Sequence, residues 1–266
     1  MKELTKRTIS GGLYAGLLIS TIYYSPLGFY LIVGLFSSLA LWEFQRLINV
    51  NNVLFIFTFL ILLFASYLEL IPFWGNNVLL ILSLIGCGIS SQLMFNQNKK
   101  IENLPFKYSL IFCYLVCSCL FIPKLMGKPS DPKVSYLMIF YLGTWTNNSF
   151  AYLFGKRFGK TKLFPSISPK KSWEGYIGGM VATLVLLYFV NYFHHFLGLH
   201  WITLGLLIPF FATFGDFVQS SYKRRANVKD SGSLLPGHGG FYDRMDSVIF
   251  TAPFYYLFLK LIDYVP

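Results

Sequence analysis

Residues 215–247, GDFVQSSYKRRANVKDSGSLLPGHGGFYDRMDS, crowd four aspartates, six basic side chains and five glycines into a chain of 266 residues that is otherwise mostly apolar. The aspartates are Asp216, Asp230, Asp243 and Asp246; the basic groups are Lys223, Arg224, Arg225, Lys229, His238 and Arg244. Apolar stretches flank the segment, so its charges sit at a membrane surface or in a polar cavity, where unpaired ions are costly. They need one another, a metal or a charged ligand. Asp243 and Asp246 stand three residues apart, which puts both carboxylates on one face if the segment is helical. Asp216, at the end of the preceding apolar stretch, reaches the same point when the two helices are neighbours. Three hard oxygen ligands beside cations, with no His/Cys cluster, favour magnesium bound to substrate phosphates over zinc. The same spacing also allows salt bridges among Asp230, Asp243, Lys223, Arg224 and Arg244. Gly237, Gly239 and Gly240 let the backbone approach a ligand or turn sharply, Pro236 sets the entry, and His238 is presented between them.

An earlier polar connection, 155–175, the first of the two in chain order, reads GKRFGKTKLFPSISPKKSWEG. Its basic residues alternate with glycine and with Ser166, Ser168 and Ser172, all able to contact phosphate oxygens, while Pro165 and Pro169 stiffen the chain. Residues 172–174 can start the next helix, whose amino-terminal dipole favours a nearby phosphate. A solvated basic loop is the ordinary alternative, but such a loop needs charge and no fixed spacing. The ordered Ser168-Pro169-Lys170-Lys171 stretch favours an anion cradle.

Membrane helices must position these two connections. Hydrophobic residues make up 55% and charged residues 12% of the chain, about half the charge of an average soluble domain, so the sequence predicts an all-α polytopic membrane protein. Apolar windows of spanning length fall near 8–24, 27–42, 53–70, 78–94, 106–122, 134–154, 176–193, 201–214 and 248–265, about nine helices. The first window ends in Tyr23, Tyr24, Ser25 and Pro26 rather than at a small-residue cleavage site, so it reads as a retained anchor. The second is short enough to suggest a tight hairpin. Cys87, Cys113, Cys117 and Cys119 lie inside apolar windows and read as small buried hydrophobes. His194, His195 and His200 lie at the opposite end of their helices, in an interfacial role.

Charge sets the orientation. With the amino terminus inside and nine crossings, the inner loops carry Lys2, Lys6, Arg7, Arg46, Lys99, Lys100, Lys107, the six cations of the first connection and the five Lys and Arg of the second. Only Lys124, Lys128 and Lys133 fall outside, with Lys260 in the last window, so the positive-inside rule places the amino terminus in the cytoplasm and the carboxyl terminus outside. The net charge of +11 therefore describes one face, and with no supporting motif it does not imply nucleic acid. Residues 1–134 read as a transmembrane scaffold and 135–266 as the catalytic region of one continuous membrane domain.

Ser220-x-x-Lys223-Arg224, Lys229-Asp230, Pro236-Gly237-His238-Gly239-Gly240 and Asp243-Arg244-x-Asp246 resemble the signature of phosphatidate cytidylyltransferases, also called CDP-diacylglycerol synthases. The resemblance extends upstream through Gly215-Asp216 and Ser168-Pro169-Lys170-Lys171 with Trp173-Glu174-Gly175, covering most of the carboxyl-terminal half. It implies transfer of a cytidylyl group from CTP to phosphatidic acid, with a divalent metal required, and as a family expectation a homodimer. It further implies Asp216, Asp243 and Asp246 as metal ligands, with Ser220, Lys223, Arg224, Lys229 and His238 around the phosphates and Lys170 and Lys171 on triphosphate or lipid phosphate. Gly239, Gly240, Ser168 and Arg244 complete the substrate-binding set. Asp230 either ligates metal or orients Lys229. The metal is expected to be magnesium, with room for a second cation. One position departs: before Ala151-Tyr152, where the family carries aspartate followed by serine or threonine, this chain has Asn148-Ser149.

The chemistry of the residues agrees with that expectation. A phosphomonoester has a second pKa of about 6, so phosphatidate already carries a nucleophilic oxygen and no strong base is needed. Alignment of two polyanions and charge neutralisation are the tasks left, suited to metal ions and fixed cations. A transporter would call for broken helices or charges at mid-membrane, whereas these cluster at one face. A kinase or cytidylyltransferase for another membrane lipid would share the same phosphate logic. The compact length points to a bacterial plasma membrane.

Overall fold

The computed structural model describes residues 3–97, 101–126, 133–194, 197–234 and 239–262, with side chains apart from those of 3–10 and 133–135. A backbone surrounded by lipid must pair its own N–H and C=O groups, which makes apolar windows helical. The helices are α1 (Glu3–Tyr24), α2 (Pro26–Leu47), α3 (Leu54–Tyr67), α4 (Phe73–Phe95), α5 (Leu104–Leu110), α6 (Cys117–Lys124), α7 (Lys133–Phe158), α8 (Trp173–His194), α9 (His200–Arg225) and α10 (Tyr242–Leu261). A π-helical turn, Ile111–Val116, joins α5 to α6, so Leu104–Lys124 is one rod.

Within the described residues, each apolar window lies on one of these rods. Five of the rods are long and apolar enough to cross a membrane: α2, α4, the Leu104–Lys124 rod, α8 and α9. The architecture is that of an all-α membrane protein. Its outer faces suit lipid, as on α8, which exposes Val181, Val185 and Phe189 at helical spacing.

Helix ends depart from the hydropathy windows for local reasons. α2 is no short hairpin arm. Ser25 caps it by accepting a hydrogen bond from the Gly28 amide at 2.9 Å, Pro26 starts it, and it continues past Trp42 to Leu47. Its last turns carry Glu43, Gln45 and Arg46, which lower hydropathy without breaking the helix, and Glu43 and Gln45 are buried. Window 53–70 yields only the 14-residue α3, because Leu68 to Leu70 turn out of the helix, with Glu69 at φ 56°.

The first polar connection is also more ordered than a loop. Residues Lys162–Phe164 (β1) and Ser168–Ser172 (β2) pair antiparallel as a small hairpin, the one sheet among the described residues. Glu174, in the first turn of α8, pins its entry by accepting hydrogen bonds from the amides of Lys160 at 3.1 Å and Thr161 at 3.0 Å. Ser172 accepts from the Gly175 amide at 3.2 Å, so α8 starts where expected.

α7 and α8 pack closely because glycine faces the contact: a Cβ on Gly175 would stand 2.7 Å from the Ala151 carbonyl, and one on Gly179 2.7 Å from that of Asn147. α8 leads away from the hairpin and α9 returns, so the hairpin and the α9–α10 connection meet at one end of the bundle. Beneath that end lies an aromatic cluster. Phe44 of α2 meets Tyr222 of α9 at 4.9 Å and Tyr242 of α10 at 5.4 Å, edge to face. Tyr114 of the π-turn shares a hydrogen bond with Tyr242 (3.3 Å), and Tyr222 donates to Ser90 of α4 at 3.0 Å. Five segments are thereby fixed at the depth of the aspartates.

Candidate active site

α9 continues helical through Lys223 and Arg224, and α10 begins at Tyr242, so Asp243 and Asp246 do share a helix. Both precede the apolar run that starts at Val248, yet they do different things. Asp243 is engaged by protein donors on both oxygens. Its Oδ1 accepts from Lys223 Nζ at 2.7 Å and from Gln219 Nε2 at 2.5 Å. Its Oδ2 accepts from the amides of Ser231 at 2.8 Å and Gly240 at 2.9 Å, and lies 3.0 Å from the Ser231 hydroxyl. Burial works to raise its pKa, but Lys223 and the two amides hold the carboxyl below the ordinary range.

Asp246, one turn further on, is buried and accepts a hydrogen bond from the amide of Ser247 at 2.5 Å. Burial first, and the charge of Asp216 second, push its pKa well above the ordinary carboxylate range, against the pull of the Ser247 amide, Lys171 and Lys223. Asp216 on α9 is half-buried; it pairs with Lys171 at 2.5 Å and accepts from Ser220 Oγ at 3.3 Å. The Lys171 ammonium also sits over the Phe217 ring, 4.4 Å from its centre, so the hairpin is docked on α9 by one residue with two partners. Asn148 closes the group from α7: its Nδ2 donates to Ser247 Oγ at 3.2 Å, and its Oδ1 accepts from Asn147 at 3.2 Å.

Lys171, Asp216, Lys223, Asp243 and Asp246 line one open cavity of about 990 Å³, of the size that takes a nucleotide or drug-sized ligand. Lys156, Lys162, Lys170, Lys171, Lys223 and Arg244 bring cations to it, and Asp216, Asp230, Asp243 and Asp246 carboxylates. Asn148 lines it too, and Gly11, Tyr14 and Trp145 supply an apolar wall from α1 and α7.

Other sequence candidates stand elsewhere. Ser168 lies in β2 and Ser220 behind Asp216, neither on the cavity wall. Arg224 is turned onto the carbonyls of Ile167 (3.3 Å) and Val228 (3.4 Å), where it ties the hairpin to the end of α9. Lys229 is exposed and outside the lining. Gly240 contributes its amide to Asp243, and Gly239 adopts φ 79°, with no room for a Cβ beside Asp243 Oδ2. His238, with Pro236 and Gly237, lies outside the described residues.

Sequence reasoning missed Glu43, Gln219 and Ser231. Gln219 had a signal, since 216, 219, 220 and 223 share one face of α9. Glu43 had only its isolation as a carboxylate at the edge of an apolar window.

Among the described residues no group of three or more His, Cys, Asp or Glu side chains is arranged to hold a metal. What the site offers is a pair, Asp216 and Asp246, whose like charges interact, with the Asn148 amide on the same cavity. That hard-oxygen pair fits an ion that takes most remaining ligands from phosphate and water, as magnesium does.

The sequence matches the model of the cytidylyltransferase family over residues 5–262. It is 33% identical over 280 residues to the phosphatidate cytidylyltransferase of Haemophilus influenzae, covering 92% of this chain and 94% of that one. The phosphatidate cytidylyltransferase of Aquifex aeolicus is 33% identical over 254 residues, 93% of this chain and 88% of its own. That of Staphylococcus aureus (strain COL) is 47% identical over 120 residues; this match spans 44% of the chain and 46% of the relative, about half the length of each. With the family's model matched over residues 5–262 and a cavity that brings cations of both polar connections beside four aspartates, the chain belongs to the cytidylyltransferase family.

Proposed function

We propose that this protein transfers the cytidylyl group of CTP to phosphatidic acid, giving CDP-diacylglycerol and pyrophosphate, at the cytoplasmic face of a bacterial plasma membrane. The observation that carries the reading is the single cavity in which six cations from the two connections surround four aspartates at one end of the bundle. The relatives, which are phosphatidate cytidylyltransferases, suggest the substrate class. Nine crossings with the amino terminus inside would put this end of the bundle in the cytoplasm, where CTP is found.

A non-bridging oxygen of the lipid phosphate attacks the α-phosphorus of CTP, the bond from that phosphorus to the α–β bridging oxygen breaks, and pyrophosphate leaves with the electron pair. The attacking oxygen needs no base, because the second phosphate pKa is about 6. The chain must hold two polyanions together. Lys170, Lys171 and Lys162 from the hairpin and Lys223 and Arg244 from the second connection flank the cavity and can neutralise opposite sides of the triphosphate. Lys171, paired with Asp216 and partly exposed, can exchange that carboxylate for a phosphate oxygen. Asp243 fixes Lys223 through a 2.7 Å contact and is free for a metal only by releasing a protein donor. Asp216 and Asp246 would hold magnesium, which supplies Lewis-acid charge neutralisation on the phosphates when bound.

The test is turnover by purified protein with CTP, phosphatidate and magnesium. CDP-diacylglycerol and pyrophosphate should form in equal amounts. No product with phosphatidate, but product with another lipid phosphate, would move the protein to a different substrate; no turnover of any lipid would remove the enzyme reading.

A further inference from the structure

The most deeply buried carboxylate near the cavity belongs to neither polar connection. Glu43 lies near the end of α2, in the amino-terminal half, and is fully buried. Such a group is costly unless its oxygens are satisfied. Here they are: Oε1 accepts from the Phe241 amide at 3.1 Å, and Oε2 accepts from the Tyr242 amide at 2.9 Å and the Ser231 hydroxyl at 2.7 Å. The first amides of a helix have no partner within it and carry its positive end. Glu43 therefore caps α10 from another helix.

We propose that Glu43 is a positioning residue that sets the start of α10, and with it Asp243 and Asp246, in the geometry that cytidylyl transfer needs. Three further observations support this. The chain closes on the carboxylate from two sides, because a Cβ on Gly232 or on Gly240 would run into Glu43 oxygens. Ser231 stands between the two carboxylates, 2.7 Å from Glu43 and 3.0 Å from Asp243, and its amide holds Asp243 Oδ2 at 2.8 Å. Phe44, the next residue, packs edge to face on Tyr222 and Tyr242, so α2 is fixed at this depth against both α9 and α10. Asp243 directly follows Tyr242 in sequence, so a displacement of that amide is passed on to the carboxylates. A misplacement of about 1 Å far from the reacting atoms can cost roughly a hundredfold in rate.

The inference rests on the cavity being the transfer site, which wild-type turnover tests separately. Its own test compares full-length Glu43→Gln, Glu43→Ala and Ser231→Ala with wild type, reading kcat, KM for CTP, the magnesium concentration at half-maximal rate and Tm. Glu43→Gln keeps size and one acceptor, and should lower kcat about tenfold; Glu43→Ala should lower it about a hundredfold. Both should raise the magnesium requirement severalfold and change KM for CTP by a smaller factor, because Lys162, Lys170 and Lys171 of the hairpin stay in place while only Arg244 and the Asp243-held Lys223 move with α10. Ser231→Ala should fall between wild type and Glu43→Gln. If Glu43→Ala does not fold, Glu43→Gln and Ser231→Ala carry the test. Unchanged kcat and magnesium dependence in the folded variants would overturn the proposal, as would activity lost only in proportion to the folded fraction.

Discussion

Asp246 and Asp243 are separated by one helical turn and by opposite chemical situations. Asp243 has its donors, and Asp246 has a like-charged neighbour and one amide. An ionised Asp246 therefore gains from a cation more than Asp243 does. Asp246→Asn keeps the side chain's size and removes this charge. Loss of a residue that only supports a metal ligand typically costs 10–100-fold, so loss of the ligand itself should lower turnover by at least about a hundredfold. Stability should not fall in metal-free buffer, since the substitution also relieves repulsion with Asp216. Near-normal turnover of Asp246→Asn at limiting magnesium would remove the residue from the metal proposal. Asn148 belongs to the same test. It lines the cavity and bonds to Ser247, so Asn148→Asp adds a negative charge beside Asp246 and should lower the magnesium needed for half-maximal rate. An unchanged titration would place position 148 outside the metal's reach. At this scale the aspartates were legible because charge is rare in an apolar chain and their spacing is helical. Glu43 was not, because a lone carboxylate in the last turns of α2 gives no hint of partners about 200 residues away that only tertiary packing supplies.

The hairpin β1–β2 shows how an element can look like a loop in sequence and still place side chains. Its strands are three and five residues long and rich in Lys, Ser and Pro, so neither hydropathy nor strand propensity marks them. What orders it is contact at both ends: Glu174 on the amides of Lys160 and Thr161, Arg224 on the Ile167 carbonyl, and Lys171 on Asp216 and Phe217. Pro165 and Pro169 were visible as stiffeners, and the start of α8 was visible as a cap; the pairing of Lys162 with Ser172 was not. Because Arg224 and Glu174 remain, replacing Lys170 and Lys171 together by glutamine should leave the hairpin in place. The Lys171–Asp216 pair is about one-third exposed, and such pairs contribute about 1 kcal/mol or less. That corresponds to a Tm shift of only about 2–4 °C in a chain of this size. The catalytic effect should be larger, a fall of about a hundredfold in kcat/KM for CTP, since two cations facing the triphosphate are gone. A double variant that lost stability but kept its kinetic constants would make the hairpin an ordinary basic segment.

The whole molecule joins one reactive end to a lipid-facing bundle, and its orientation decides which substrates that end can meet. Helix windows were legible throughout because the period and length of apolar runs are set by the bilayer, whereas helix ends were not, because caps and buried polar residues such as Ser25 and Glu43 fix them. Orientation can be read from two exposed positions at opposite ends of α8. Ser166 lies in the hairpin turn before α8, and Leu199, 80% exposed, lies after it. The 22 residues of α8 extend about 33 Å, close to the apolar thickness of about 30 Å, so one crossing places the two positions on opposite sides. Cys87, Cys117 and Cys119 are buried and should react slowly, and with the partly exposed Cys113 replaced by serine a single introduced thiol is readable. In intact cells stripped of their outer layers, a membrane-impermeant maleimide should label Leu199→Cys and spare Ser166→Cys. In inverted vesicles the pattern should reverse. Labelling of both from one side would mean that α8 does not cross, and labelling of Ser166→Cys from outside would place the cavity away from cytoplasmic CTP. With the expected pattern, the cations of both connections face the compartment that holds the nucleotide, and the same cavity offers the apolar wall of Gly11, Tyr14 and Trp145 to the lipid.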